Sequence, residues 1–231
     1  MKRFFIAALA AASMMAASAD NRDWGNFGRY AQSNEEVKAA PASERKVVFM
    51  GNSITEGWVN AHPEFFKKNG FVGRGISGQT SFQYLVRFRS DVVNLHPEVV
   101  VINAGTNDVA ENTQTYNEDL TMDNIMSMVE LAQAAGIKVI LASTLPAAAF
   151  GWNPSITDAA AKISSLNARV AKYAAEKGIP FVDYYSAMVT SDGKGALRSD
   201  LSGDGVHPTP QGYDVMEAIV LPVIAKTLST K

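Results

Sequence analysis

The apolar positions of the chain fall into short uninterrupted runs separated by longer stretches in which they recur every three or four residues. Lys46–Met50, Glu98–Asn103 and Ile137–Ala142 are runs of the first kind, as expected of strands covered on both faces. Phe71–Ile76 and Ile179–Val182 are weaker examples. Helical spacing is predicted over Gln79–Asn94 and over Thr115–Ala135. The second places Ile125, Met128, Val129 and Ala132 on one face and closes at Gly136. Thr157–Lys177 reads as a helix capped by Thr157 and ended by Gly178, and Pro210–Leu228 as one with proline in its first turn. Asp20–Arg45 is polar with scattered aromatics (Trp24, Phe27, Tyr30). It is expected to be an arm with a short helix over Asn34–Ala39, its rings packed on the main body.

Strands alternating with helices of this length predict parallel pairing through right-handed crossovers. The expected fold is α/β, a three-layer α/β/α sandwich with a five-stranded parallel sheet. Residues 46–231 form one domain preceded by the arm at 20–45. Residues 1–19 read as an export signal. Lys2 and Arg3 give a positive start, Phe4–Ala12 is an apolar run too short to span a bilayer, and Ala17-Ser18-Ala19 is a small-x-small cleavage site. The expected product begins at Asp20, is periplasmic or secreted, and carries no membrane anchor.

Composition narrows the chemistry. The net charge is −2 with no basic tail, which argues against a nucleic-acid partner. Cysteine is absent, so neither disulfides nor a thiol nucleophile operate. Three histidines, His62, His96 and His207, make a multi-histidine zinc site improbable, and the expectation is chemistry without metal or cofactor. His62 and His96 lie before prolines and read as surface turn residues.

Open parallel sheets bind ligands beyond the carboxyl ends of their strands. Four segments fall there: Gly51-Asn52-Ser53, Ile76-Ser77-Gly78, Gly105-Thr106-Asn107-Asp108 and Asp204-Gly205-Val206-His207. Ser53 lies between a strand and a helix, where negative charge is favoured; the plainer reading is a helix cap completed by Glu56. Asp204 and His207 are spaced so that one turn can hold a carboxylate against Nδ1 and leave Nε2 for a serine; an incidental histidine in an Asp-Gly turn is the equal alternative. Asn107, with the N–H groups of Gly78 and Ser53, can donate to an oxyanion, although Gly, Asn and Asp are also ordinary turn formers.

Taken in order, these four blocks resemble those of the SGNH (GDSL-type) hydrolases, over about residues 46–225. The resemblance implies a flavodoxin-like esterase fold with Ser53 as nucleophile, His207 as general base and Asp204 orienting it. Ser53, Gly78 and Asn107 would form the oxyanion hole. The family's usual Gly-Asp-Ser reads Gly-Asn52-Ser here; Asn52 is no member of the expected triad, so activity is expected to survive. Asn52, Trp58 and Trp152 are candidate substrate contacts, and the loops Pro146–Pro154 and Ser186–Ser202 are candidate walls. The wording around Ser53, export and a polar rim favour O-acetyl groups on a carbohydrate, so the expected partner is a small-molecule or glycan ester. A lysophospholipase or thioesterase, or a catalytically weak glycan-binding module using Trp58, Trp152 and Tyr184, are the alternatives. Gly73-Arg-Gly75-Ile-Ser-Gly78 matches a dinucleotide fingerprint only formally, because no acidic residue ends the next strand.

Overall fold

The computed structural model describes residues 23–230, so the expected export signal at 1–19 lies outside the described residues. Five parallel strands form one sheet: β1 (Val47–Gly51), β2 (Phe71–Gly75), β3 (Val99–Asn103), β4 (Lys138–Ala142) and β5 (Phe181–Val182). Their order is β2-β1-β3-β4-β5. Val47 is level with Phe71 on one side and Val99 on the other, and Val99 with Lys138. Chain direction across the sheet reverses between β1 and β3, the crevice where ligands of such sheets bind.

Alternation along each strand sends side chains to two cores. Val48, Met50, Val100, Ile102, Val139 and Leu141 point to one face. There they meet the helices α4 (Ser81–Asp91), α6 (Glu118–Ala134) and α7 (Ala159–Lys177) through Phe88, Met128 and Leu166. Val47, Phe49, Val99, Val101 and Ile140 point to the other. That face is covered by α2 (Ser53–Ala61), α3 (Pro63–Asn69), α8 (Tyr184–Met188) and α9 (Pro210–Ser229). The remaining α-helices among the described residues are α1 (Ala31–Ala39) and the four-residue α5 (Thr106–Val109).

Several boundaries depart from expectation for local reasons. Helix α4 begins at Ser81, because Thr80 and Gln83 form a reciprocal capping box. Helix α7 begins at Ala159, with Asp158 rather than Thr157 at the cap position. Strand β5 shrinks to two residues: the Ile179 N–H closes the end of α7 on the Ala174 carbonyl, and Pro180 has no N–H to give. Helix α3 was not expected at all, although Pro63 at its start and the left-handed Gly70 at its end are its signals.

In the arm, only Tyr30 packs as expected: its hydroxyl donates to the Gly75 carbonyl. Trp24 and Phe27 are about half exposed, because the arm is held by its backbone instead. The Trp24 carbonyl accepts from Gln83 Nε2 and the Gly25 carbonyl from Gln79 Nε2.

Trp58 also departs from expectation. It is 2 % exposed and stacked between Phe65 and Tyr213, at centroid distances of 5.3 and 5.8 Å, so it presents no surface to a ligand. Its replacement by alanine should destabilise the protein by about 3–5 kcal/mol in urea unfolding. A loss below about 1 kcal/mol would show that the aromatic cluster is not a load carried by Trp58.

Candidate active site

Strand β1 passes into α2 with one residue between them, and that residue takes the cap. Asn52 is fully buried, and its Oδ1 accepts the Ile54 N–H at 2.9 Å. Ser53 is therefore the first helical residue and not the cap, and its hydroxyl is free for another partner. Burial likewise removes Asn52 from direct contact with a substrate. Glu56 does not complete a capping box either: its Oε2 accepts from the N–H and hydroxyl of Ser77, and its Oε1 from Arg29. The close passage of β2 across this junction needs Gly75, where a Cβ would lie 2.4 Å from the Glu56 nitrogen and 2.5 Å from the Asn52 carbonyl oxygen.

The free hydroxyl meets the far end of the chain. Ser53 Oγ lies 2.8 Å from His207 Nε2, and His207 Nδ1 lies 2.7 Å from Asp204 Oδ2. A carboxylate can only accept, so the ring proton belongs on Nδ1 and Nε2 accepts from the serine. The Asp204 turn is tightly organised. Its Oδ1 accepts from the N–H groups of Val206 and His207 and from the Ser202 hydroxyl. Partial burial favours the neutral acid, but the donors from the His207 backbone, the His207 ring and the Val206 backbone outweigh it and hold the Asp204 carboxyl at about 2. It is ionised throughout the neutral range.

The loop after β2 brings the next expected residues to the same rim. Gly78 adopts φ +78°, a conformation that side chains resist, and is exposed. Among the described residues the N–H groups of Ser53 and Gly78 donate to no protein acceptor. Asn107, on α5, is almost fully buried and donates through Nδ2 to the Gln79 carbonyl at 2.9 Å. Its neighbour Asp108 anchors α5: the buried carboxylate takes the N–H and hydroxyl of Ser81 at the start of α4. Burial, only partly offset by these bonds, raises the Asp108 pKa. Of the candidate walls, the loop at 146–154 brings Trp152 to the site. The indole is half-exposed, its centroid 6.3 Å from the His207 ring, and its N–H donates to Asn112 Oδ1. The other amide end of Asn112 donates to the Gly78 carbonyl. The loop at 186–202 meets this site through its last residue, Ser202.

A serine, an imidazole and a carboxylate in hydrogen-bonded series, beside unpartnered N–H groups, is an arrangement suited to acyl transfer. The family model of GDSL-like lipases and acylhydrolases matches residues 49–215, which hold all of these groups. The chain belongs to this family. A candidate acylhydrolase of Bacteroides fragilis is 64 % identical, with a TM-score of 0.87 over 90 % of this chain and 99 % of that one. A GDSL-like lipase of Bacteroides thetaiotaomicron is 58 % identical, with a TM-score of 0.86 over 88 % and 99 %. An acetylxylan esterase of Xylanibacter ruminicola is 25 % identical over 81 % of this chain, which spans 45 % of that longer protein. This GDSL acylhydrolase is therefore a carboxylic ester hydrolase of α/β fold.

The sequence reading missed Ser202, Glu56, Ser77 and Asn112 as supports, because each acts through a loop contact that residue type alone does not signal. His62 also differs from the surface turn residue expected. It is half-buried, with Nδ1 2.6 Å from Glu217 Oε1, which also accepts from the Trp58 indole. His62, Asp214 and Glu217 are the one trio of metal-type ligands among the described residues. That trio ties the junction of α2 and α3 to α9 and shares no member with the Ser53 site.

Asn52 Nδ2 is buried without a partner, so this GDSL acylhydrolase carries an unsatisfied donor beside Ser53. Asn52→Asp keeps the capping oxygen and removes that donor, and kcat on a simple acetate ester should stay within about tenfold of wild type. A gain of several orders of magnitude would mean that asparagine disarms the native site.

Proposed function

We propose that this esterase removes O-acetyl groups from carbohydrate by a Ser53–His207–Asp204 mechanism. The observation that carries the reading is the unbroken series from Ser53 Oγ through His207 to Asp204, at 2.8 and 2.7 Å. Ser53 Oγ attacks the ester carbonyl as His207 Nε2 takes its proton. The tetrahedral oxyanion is held by the Ser53 and Gly78 N–H groups and by Asn107 Nδ2, at the positive end of α2. As the bond to the sugar oxygen breaks, His207 gives that oxygen its proton, leaving a sugar hydroxyl free and acetyl on Ser53. Water, deprotonated by His207, then releases acetate and restores the serine. Asp204 keeps the imidazole in the required tautomer and stabilises its charged form.

The choice of carbohydrate rests on the rim. Trp152 offers a half-exposed ring beside His207, a surface on which a sugar ring can stack, with Asn112 bonded to its indole N–H. The similarity to an acetylxylan esterase supports the same choice. The cavities of about 910 and 680 Å³ lie elsewhere: one is lined by Ile137, Phe181 and Pro222, the other by Tyr30, Phe66 and Arg74. No helix among the described residues is long and apolar enough to cross a membrane. Export of the protein, read from residues 1–19, belongs to the proposal and fits a polymeric substrate outside the cell.

The test is hydrolysis of p-nitrophenyl acetate, butyrate and octanoate by Asp20–Lys231. Acetate should be preferred, and Ser53→Ala should lose at least about 10³-fold in kcat. A preference for octanoate would replace the acetylesterase reading with a lipase or thioesterase one. Asn107→Ala should cost about 10²–10³-fold in kcat with little change in KM.

The pH dependence carries a definite sign. Protonated His207 cannot accept the serine proton, so kcat/KM should rise with pH along the acid limb of the profile. Asp204 adds no limb near neutral pH, because its donors hold its carboxyl at about 2. A flat profile there would exclude His207 as the base.

A further inference from the structure

One fully buried charge has no part in the proposed chemistry. Arg87, in the middle of α4, has no exposed surface, and its guanidinium makes four hydrogen bonds. Nε donates to Gln79 Oε1 at 2.6 Å and Nη1 to Asp91 Oδ2 at 2.9 Å. Nη2 donates to two carbonyls, Gly51 at 3.1 Å and Arg74 at 2.9 Å. Gly51 ends β1 two residues before Ser53, and Arg74 is the penultimate residue of β2, just ahead of the Gly78 loop.

The bonds continue outward on both sides. The Gln79 carbonyl is the acceptor for Asn107 Nδ2, and its amide nitrogen donates to the Gly25 carbonyl of the arm. Asp91 Oδ1 accepts from Asn34 on α1, whose own Oδ1 accepts from Arg74 Nε. Taking a guanidinium out of water is costly even with four of its five N–H groups met, and an apolar side chain would fill the same space without that cost. What an apolar side chain could not do is hold two strand ends and a loop residue in one plane of fixed donors.

We infer that Arg87 and Gln79 are positioning residues: together they set the loop at 76–80 against the end of β1. Gly78 N–H, Asn107 Nδ2 and Ser53 N–H thereby face one point. The arm, through Gly25 and Asn34, is the outer half of the same brace. This rests on the proposed role of those three donors.

Gln79→Met removes the amide but leaves the backbone carbonyl that Asn107 uses. On p-nitrophenyl acetate it should lower kcat about tenfold or more while KM stays within about twofold. The inhibition constant of phenylboronic acid, which forms a tetrahedral anion on an active-site serine, should rise by a similar factor. Gln79→Glu keeps the acceptor for Arg87 but loses the donor to the Gly25 carbonyl, and should lose less kcat than Gln79→Met. Arg87→Lys supplies a single ammonium that cannot reach all four acceptors, and should lose kcat like Gln79→Met. Thermal unfolding of each variant identifies any that fails to fold, and the remaining variants then decide.

Wild-type kcat in folded Gln79→Met or Arg87→Lys would overturn the inference. So would equal losses in Gln79→Met and Gln79→Glu, or a fall in kcat with no change in boronic acid affinity. A wild-type protein that hydrolyses no ester would remove the proposed function and this inference together. An active wild type, a dead Ser53→Ala and an unimpaired Gln79→Met would remove this inference alone.

Discussion

A helix that starts directly from a buried strand must find an acceptor for its first N–H groups, and the choice of acceptor decides what the neighbouring side chains can do. At the end of β1 the acceptor is Asn52 Oδ1. Had Ser53 supplied it, the hydroxyl would be turned back on its own helix and lost to any partner. With Asn52 in that role, Ser53 Oγ stands free at the first turn of α2, within 2.8 Å of His207. Much else in the molecule follows from keeping this short junction intact. Gly75 lets β2 pass against it, and the Tyr213 hydroxyl from α9 holds the Ile54 carbonyl. Trp58, one turn further on, locks α2 into the aromatic cluster beneath.

The carboxylates around the site divide the remaining work according to what surrounds them. Asp204 is exposed on one side and ringed by donors on the other, so its charge is secure and available to the imidazole. Asp108 is buried, and its donors come from the start of α4, so its task is to hold α5 and with it Asn107. Glu56 reaches across from α2 to Ser77 and fixes the residue before Gly78. Gly78 and Gln79 are gripped in turn by Asn112 and by Asn107 through their carbonyls. Successive residues of one loop are thus held from α2, from α5 and from the loop that follows α5.

Much of this was legible in the sequence. Buried runs and helical spacing imply a parallel sheet, and a parallel sheet gathers the segments after its strands on one rim. That rule brings Ser53, Gly78 and Asn107 together from residues far apart. It fails within helices, where angle matters. Trp58 follows Ser53 by five residues, about 500° of helix, which points it about 140° away from the serine and into the core. The residue type of Asn52 suits a substrate contact on the rim, whereas its position between strand and helix suits a cap. The supports of the site were illegible for a different reason. Arg87, Gln79 and Asn112 act on backbone carbonyls, and every residue has one, so no residue type marks the acceptor.

The most direct test of the account is covalent labelling with an aryl phosphonofluoridate, followed by mass spectrometry of the digested protein. The reagent needs an activated serine and leaves a phosphonyl group on it. A single stoichiometric adduct on the peptide containing Ser53, absent when His207 is replaced by alanine, is the predicted result. An adduct on another serine, or none on the folded wild-type protein, would contradict it.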